Sequence, residues 1–568
     1  TKIIALKVIG KVLKIKDLPP GKRAVPSKWV FACKERQHAE AGEKERSARV
    51  AYRGDRDDPD NRATGNASHT ASMTTYFIME AWASQDESII RECWDVSGAY
   101  YKSMSRKEQY MAAPPGFDTD KDGDKVCWLL ARNMPGKDDA GAKWEKDRDD
   151  YFVDHLRLRR AQWDDSVFVI RINEGHWFVL LAHVDDFAVF GKPRALVDKI
   201  GDAVHARFSI KRAGLTLYVG INSSRDGRGT RFNTKPLIKD VGALLDMQPN
   251  AKAPTSPTPS NFGAFRPSSV CTDPELRALL DQYPMASALG KLKYVVRTSR
   301  RDTLWIVGEL SRFQHNYGVY HITLLEYLVQ FLLNTLDREL VFRSGYSKTL
   351  PAYIATADAS YLSDLVRGRT HWGGAHFLFG CAVAASAKVF ATIPVSTCEA
   401  EYMDNYEIGK EAVYVRKHAV DLTDLKLPEC TYVLCDGLSA VYLTNRRNLG
   451  GGRVRHMDVK YHWLQQQVQS GTLRTIHVPT TMQYADANSK PLHGKLYWKM
   501  TAPIMGEVQF PEPPLEVIVR VFVKAHAEEL KELSEHETPE HEQPVLQSMD
   551  TAMFLQDSSW AAPPPPPP

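Results

Sequence analysis

The sequence predicts an α+β region followed by an α/β region, each built on a mixed sheet with flanking helices. Three stretches carry that expectation. Residues 177–191 (WFVLLAHVDDFAVFG) place two apolar runs on either side of Asp185 and Asp186, the pattern of two buried strands joined in a hairpin. Residues 353–360 (YIATADAS) and 431–435 (TYVLC) read as strands delivering Asp358 and Asp436, with a helix opening between them at Ser396. Residues 274–343 are helical in pattern and follow a stretch at 248–266 that holds four prolines with Ser, Thr and Asn, the composition of a linker. The resulting division is a lead at 1–26, a first region at 27–247, a linker at 248–268, helices at 269–345, a second region at 350–500 and a tail at 505–568.

A chain of 568 residues buries ample core, and its charged and aromatic fractions of 25% and 10% are those of a globular protein. No apolar run reaches the roughly 18 residues a membrane helix needs, and no signal-peptide pattern is present. The eight cysteines are scattered, with Cys430 and Cys435 the closest pair and no histidine at zinc spacing, so reduced intracellular thiols are expected. From Ala525 onward there are seven Glu, two Asp and one Lys, which leaves a net +12 on residues 1–524. A basic body suits nucleic acid but does not by itself specify it.

In the first region, residues 27–36 (SKWVFACKER) and 48–55 (ARVAYRGD) read as two strands that bring Lys34, Arg49 and Arg53 onto one small sheet. Guanidinium forks there would suit phosphate oxygens; an ordinary basic hairpin is the plainer alternative. Residues 89–96 (IIRECWDV) read as a strand with Asp95 near its end. Asp185 and Asp186 lie at the hairpin turn beside an apolar core, where like charges repel and desolvation adds to the cost. Mg2+ is the natural partner of such a hard-oxygen pair, against the alternative of a solvated turn. Residues 195–208 read as an amphipathic helix and 214–221 as a strand. Further on, Asp302 or Thr303 would cap a helix, and Arg297, Arg300 and Arg301 could touch a duplex backbone, against the alternative of a solvated helix end.

The second region orders its acids as a strand Asp358, a helix Glu, a strand-end Asp436 and a late Asp486. Within residues 396–402 (STCEAEY), Glu399 and Glu401 both fall in the first turns of the helix. This is the D-E-D-D set of a ribonuclease H fold. The tail is Pro-rich, then acidic, and ends in six prolines, a composition that predicts disorder and extended polyproline II.

The segments SKWVF, DVSGAY (95–100), APPGF (113–117), VCWL (126–129), DDSVFV (164–169) and HVDD (183–186) resemble, in order and spacing, the reverse transcriptase of copia-type LTR retrotransposons. Residues 292–302 and 308–313 resemble the segment between polymerase and nuclease in copia-type Pol. Residues 396–402, 435–440 (CDGLSA) and 485–492 (ADANSKPL) resemble its nuclease motifs. The resemblance implies a right-hand polymerase with catalytic, metal-holding Asp95, Asp185 and Asp186, Arg49 at the triphosphate, and Tyr100 under the incoming sugar. It also implies a ribonuclease H with Asp358, Glu401, Asp436 and Asp486, Glu401 being chosen over Glu399 because Glu-Tyr-Met matches the family's helix. Arg453, Arg455 and His456 match a basic segment that would steer the hybrid. Two Mg2+ ions per site, or Mn2+, would serve an RNA template, a DNA primer, deoxynucleoside triphosphates and the RNA–DNA hybrid. The implied setting is intracellular, in cytoplasmic virus-like particles with the nucleus as a second compartment, and without a membrane. Protease D-T/S-G and zinc-binding integrase patterns are absent, so those activities are expected to be missing or to lie on a removed part.

Some positions depart from the family. Asp138 and Asp139 stand where a lysine and a glutamine are expected, Ser47 replaces a lysine, His183 a tyrosine and Gly437 an asparagine. Acids near a triphosphate repel it, so an impaired polymerase beside an intact nuclease is expected. The rival reading is a decayed or co-opted nucleic-acid-binding protein.

Overall fold

Residues 7–35, 44–57, 68–105, 108–347, 350–423, 427, 430–445 and 462–511 are described in a computed structural model of the chain. The expected basic segment with Arg453, Arg455 and His456, and the tail beyond 511, lie outside the described residues. The chain forms two units, one of Thr1–Tyr76 with Glu87–Gly220 and the other of Phe77–Asp86 with Ile221–Pro568. The division falls after Gly220, ahead of the linker expected at 248–268.

The first unit contains β1 (Ile9–Lys14), β2 (Ala24–Val25), β3 (Ser27–Glu35), β4 (Lys44–Tyr52), the start of α1 (Met73–Gln85), β5 (Ile90–Val96), β6 (Tyr110–Ala112) and β7 (Val126–Leu130). There follow α2 (Ala140–Asp150), β8 (Arg159–Arg160), β9 (Val167–Asn173), β10 (His176–His183), β11 (Asp186–Lys192), α3 (Arg194–Phe208), β12 (Ile210–Gly214) and β13 (Leu217–Tyr218). The lead is structured: β1 and β2 close a four-stranded sheet in the order β1-β7-β6-β2. β3 and β4 pair as an antiparallel ribbon.

The main sheet runs β12-β5-β11-β10-β9-β8. β10 lies in its middle, and Trp177, Phe178, Val179, Leu180, Leu181 and Ala182 are all buried. One face packs Phe178 and Leu180 against Val197, Val204 and Phe208 of α3. On the other face, Phe190 meets Tyr76. Cover on both faces explains why the strand reads as an unbroken apolar run rather than an alternation. The strand expected at 214–221 is instead interrupted. Val219 and Gly220 take positive φ, 50° and 84°, and a left-handed pair cannot continue a strand.

The second unit continues with β14 (Ile221–Asp226), β15 (Gly229–Asn233), α4 (Lys235–Leu244), α5 (Pro274–Leu280), α6 (Met285–Thr298), α7 (Leu304–Arg312), α8 (Val319–Asn334) and β16 (Leu340–Arg343). The helices bury Leu289, Leu292, Val296, Leu310, Leu325 and Leu328 in one core, at the spacing of single helix faces. Asp302 does not cap α7. It is buried between Arg300, at 2.9 Å, and Arg338, at 3.1 Å, and Thr303 makes no side-chain cap. Arg300 and Arg301 are interior residues, so neither is placed to meet a duplex; Arg297 is exposed on α6.

The remaining elements are β17 (Tyr353–Asp364), β18 (Arg369–Leu378), β19 (Cys381–Val389), α9 (Thr397–Thr423), β20 (Thr431–Cys435), α10 (Leu438–Asn445), α11 (His462–Gln469), β21 (Leu473–His477), α12 (Asp486–Ser489) and α13 (Gly494–Thr501). The sheet order is β19-β18-β17-β20-β21. The first three strands are antiparallel, and β17, β20 and β21 are parallel. A meander, a crossover helix and two added parallel strands make the ribonuclease H-like order, and it delivers Asp358 and Asp436 on neighbouring strands.

Candidate active sites

In the first unit, β10 and β11 pair from Trp177↔Lys192 to His183↔Asp186. The turn is therefore Val184-Asp185, and Asp186 is already a strand residue. Val184 takes φ 55°, an unusual conformation for a β-branched side chain. The indole Nε1–H of buried Trp144 donates to the Val184 carbonyl at 2.7 Å, which holds the strained turn. Asp95 on β5 is the register partner of Asp186, and the Val96 N–H donates to the Asp185 carbonyl at 2.9 Å. Opposite residues of an antiparallel pair share a face, so Asp95 and Asp186 face the same way while Asp185 projects from the turn, exposed.

The negative field of this corner registers on its neighbours. Burial pushes the Cys93 thiol up to about 12, and Asp186 and Asp95 add to the rise. The Tyr100 hydroxyl is raised by burial and by Asp185, while Arg49 works in the opposite direction. Arg49 on β4 is exposed, and Tyr100 lies within its field and that of Asp185. Arg53, by contrast, is tied to Asp55.

Of the two acids that replace the family's lysine and glutamine, Asp139 pairs with Lys143 one helical turn on and lies 3.8 Å from the buried Lys137 ammonium. Burial lowers Lys137 to about 8, against the pull of Asp139. The charge of Asp139 is thus spent locally. The i,i+4 spacing of Asp139 and Lys143 was the signal in the sequence.

In the second unit, Asp358, Glu401 and Asp436 bring carboxylate oxygens within 4.8 Å of one another. Asp358 comes from β17, Glu401 from the second turn of α9, and Asp436 from the residue after β20. Ser489 donates to Asp358, Thr480 donates to Asp436 at 2.8 Å, and Lys490 reaches Asp486 at 2.7 Å and Asp358 at 3.5 Å. Burial pushes Glu401 up to about 9, with Asp358 and Asp436 contributing. Burial and Asp358 likewise lift Asp486 to about 7 against Lys490. Burial opposes the charge on Lys490, but Asp358 and Asp486 overcome it and raise its pKa. A divalent cation fits this donor set, because it removes the like-charge repulsion and takes hard oxygen ligands.

Glu399 has a different job. Its carboxylate accepts from the Val395 N–H at 2.7 Å, and its own N–H donates to the Ser396 hydroxyl at 3.1 Å, a helix-start arrangement close to a capping box. Gly437 lies so near Glu401 that a Cβ there would meet its Cγ at 2.9 Å. Lys490, Ser489 and Thr480 were not assigned from sequence, although Lys490 follows Asp486 at i,i+4. Asp404, one turn beyond Glu401, was also missed. It is wholly buried, neither oxygen has a hydrogen-bond partner among the described residues, and burial with Glu401 and Asp358 drives its pKa far up.

A second acidic cluster, Asp120, Asp122 and Asp124, is filled by a lysine: the Lys14 ammonium lies 3.0, 3.1 and 2.7 Å from them. No helix among the described residues is long and apolar enough to cross a membrane.

The chain thus carries an acid-bearing sheet in one unit and a ribonuclease H-like sheet with converging carboxylates in the other. Residues 10–258 match the family described as reverse transcriptase (RNA-dependent DNA polymerase). The chain is 27% identical over 483 residues to the retrovirus-related Pol polyprotein from transposon TNT 1-94 of Nicotiana tabacum, covering 84% of this chain and 35% of that protein. It is 28% identical over 401 residues to that of transposon RE1 of Arabidopsis thaliana, covering 70% and 26%. Against the transposon Ty1-MR1 Gag-Pol polyprotein of Saccharomyces cerevisiae it is 22% identical over 503 residues, covering 86% and 27%. The match thus spans about a third or less of each relative. Among solved structures, the N-terminal RNase H domain of a Mycobacterium tuberculosis protein, fused to maltose-binding protein, has 18% identity and a TM-score of 0.17, covering 28% of this chain and 98% of that one. The fold of the second unit is defined by its own strand order. The resemblance to copia-type retrotransposon Pol is borne out.

Proposed function

We propose that the chain is the polymerase and nuclease segment of a copia-type Pol: an RNA-directed DNA polymerase with fingers, palm and thumb-like helices in residues 27–345, and a ribonuclease H in residues 350–500. The observation that carries this reading is the meeting of Asp358, Glu401 and Asp436 within 4.8 Å on a ribonuclease H-like sheet, in a chain whose first part matches the reverse transcriptase family.

Bound Mg2+ ions, or Mn2+, would supply activation of the attacking oxygen and stabilisation of the leaving oxygen in both phosphoryl transfers. Asp95, Asp185 and Asp186 would hold them in the polymerase, and Asp358, Glu401, Asp436 and Asp486 in the nuclease. Lys490 limits the repulsion among the nuclease acids, while Ser489 and Thr480 orient Asp358 and Asp436. In the polymerase, Trp144 fixes the turn, Arg49 meets the triphosphate, and the Tyr100 ring fills the space of a 2'-hydroxyl. An RNA template, a DNA primer and their hybrid would be gripped by shape and phosphates, with Arg297, Arg453, Arg455 and His456 as added contacts. Because Asp139 is already paired, the remaining charge departures beside the triphosphate are Asp138 and the missing lysine at Ser47. Primer extension on poly-rA/oligo-dT and cleavage of a labelled hybrid, both in Mg2+, test the reading. A well-folded protein that binds hybrid but performs neither reaction would instead be the co-opted binding protein.

A further inference from the structure

A cavity of about 480 Å³ lies in the second unit away from the carboxylates, between α7 and the β17–β18 and β19 edge of the sheet. Its walls include Trp305 and Gly308 of α7, Arg367 in the β17–β18 turn, Arg369 and His371 of β18, and Val389 of β19. The volume falls in the range of small-ligand sites, roughly 300–1,000 Å³.

The charged groups around it divide into two sets. One set is closed. Arg312 is held by Glu309 and Asp364, Lys388 is paired with Glu411 at 2.8 Å, and His371 Nε2 lies 2.6 Å from Glu309 while its Nδ1 lies 2.6 Å from the Ser363 hydroxyl. The buried network around His371 fixes the floor. The other set meets no acid: Arg367 donates to the Arg312 carbonyl at 3.2 Å and lies 5.3 Å over the Phe313 ring, and Arg369 donates to the Phe390 carbonyl at 3.4 Å. Each guanidinium has five N–H donors, and among the described residues neither of these two meets a carboxylate. Two available forks beside an apolar wall of Trp305 and Val389 suit an anion attached to a flat apolar ring.

The cavity also lies on a defined side of the sheet. His371 pairs with Ser360 and Gly373 with Asp358, so His371 and Asp358 share one face, two residues apart along paired strands, or about 7 Å.

We propose that this cavity binds one nucleotide unit, its phosphate at Arg367 and Arg369 and its base against Trp305 and Val389. The unit belongs either to a strand of the bound hybrid or to a free nucleotide. The shared face with Asp358 favours the strand, and that choice of source rests on the nuclease reading above.

The test uses the full chain in EDTA, so that cleavage and metal-dependent triphosphate binding are both silent. A fluorescent RNA–DNA hybrid and AMP are titrated against the parent, Arg367→Glu/Arg369→Glu and Gly308→Leu. A Cβ at Gly308 meets nothing closer than the Ala387 carbonyl at 3.7 Å, so the helix accepts the leucine and its side chain fills the cavity; Val389→Trp fills it from the other wall should that variant misfold. For a strand, both alterations weaken hybrid binding about tenfold or more, and the arginine pair lowers the salt slope by about one, the value for the single phosphate contact. For a free nucleotide, AMP binding is lost in both while hybrid binding holds. Either result sustains the cavity site. Unchanged binding of both probes overturns it, and so does an effect of charge reversal without one from cavity filling, since a surface field then accounts for everything. Hybrid cleavage in Mg2+ by the parent, abolished by Asp436→Asn, reports on the nuclease reading separately.

Discussion

The two sets of carboxylates in this chain are built with different geometry. In the first unit, Asp185 is exposed on a two-residue turn and Asp95 faces Asp186 across a strand pair. The acids are spread along a corner that is wet on one side. In the second unit, Asp358, Glu401 and Asp436 converge within 4.8 Å, and burial, with repulsion from Asp358 and Asp436 added to it, lifts Glu401 to about 9. One set resembles a landing edge for a ligand that brings its own anions. The other is a half-closed cluster whose oxygens already converge, with Lys490 at its side. The difference teaches that acids can be brought together by backbone register on an open corner or crowded together under burial, and that the two should fail differently.

The sharpest way to break the comparison is to remove one acid from each set. Asp436→Asn is expected to cut hybrid cleavage about a thousandfold or more, a loss of several kcal/mol of charge stabilisation, and to leave primer extension intact. Asp95→Asn is expected to do the reverse. If either substitution depresses both reactions equally in folded protein, the two sets are not independent sites.

The next effect belongs to the compressed set alone. A folded-state pKa raised above its unfolded value means that folding takes up a proton. The stabilisation is complete below the ordinary carboxyl value near 4.5 and is lost as pH rises toward about 9. Metal-free protein should therefore melt at progressively lower temperature from about pH 5 to pH 9, Mg2+ should flatten the decline, and Glu401→Gln should remove part of it. Thermal melts in EDTA and in Mg2+ measure this. A Glu401→Gln variant with the parent's pH slope would show that the compression is not felt.

What was legible in the sequence follows the same division. Asp358, Glu401 and Asp436 stand on a strand, in an early helix turn and just after a strand, where strand, helix and carboxylate can each be read locally. The hairpin was legible too, but its turn was not fixed by the pattern. Strands covered on both faces show no alternation, so hydrophobicity does not say which face Asp186 takes. The same blindness hid β1: most of its residues are exposed or half-buried, and its place is set by pairing with β7. Asp302 shows the opposite error, a helix-capping residue by type that is instead consumed by Arg300 and Arg338, partners that no local rule couples. Asp139 was read for the ligand it would repel, although Lys143 already stood at the i,i+4 spacing that neutralises it.

Tyr100 gives an intermediate test, confined to the open set. Tyr100→Ala should raise ribonucleotide over deoxynucleotide incorporation about tenfold, the scale of one lost steric contact. Competition between labelled nucleotide pairs in primer extension reads it out, with hybrid cleavage unchanged. An unaltered ratio in active protein would remove the ring from the sugar site.

The smallest expected effect is also the most local. Trp144→Phe keeps an aromatic ring against Phe208, which the indole meets edge-on at 5.1 Å, but deletes the N–H that donates to the Val184 carbonyl. A buried hydrogen bond of this kind is worth about 1 kcal/mol, with a small addition for the lost ring volume. That energy is spent on a turn held at positive φ by a valine, so its loss should let the turn relax and move Asp185. Primer extension should fall several-fold through kcat, with melting lowered by a few degrees and cleavage untouched, because the nuclease acids take nothing from this turn. Val184→Gly, which accepts positive φ without strain, should restore part of the extension in the Trp144→Phe background. If the double variant is no better than the single one, the indole acts by filling space rather than by holding the turn.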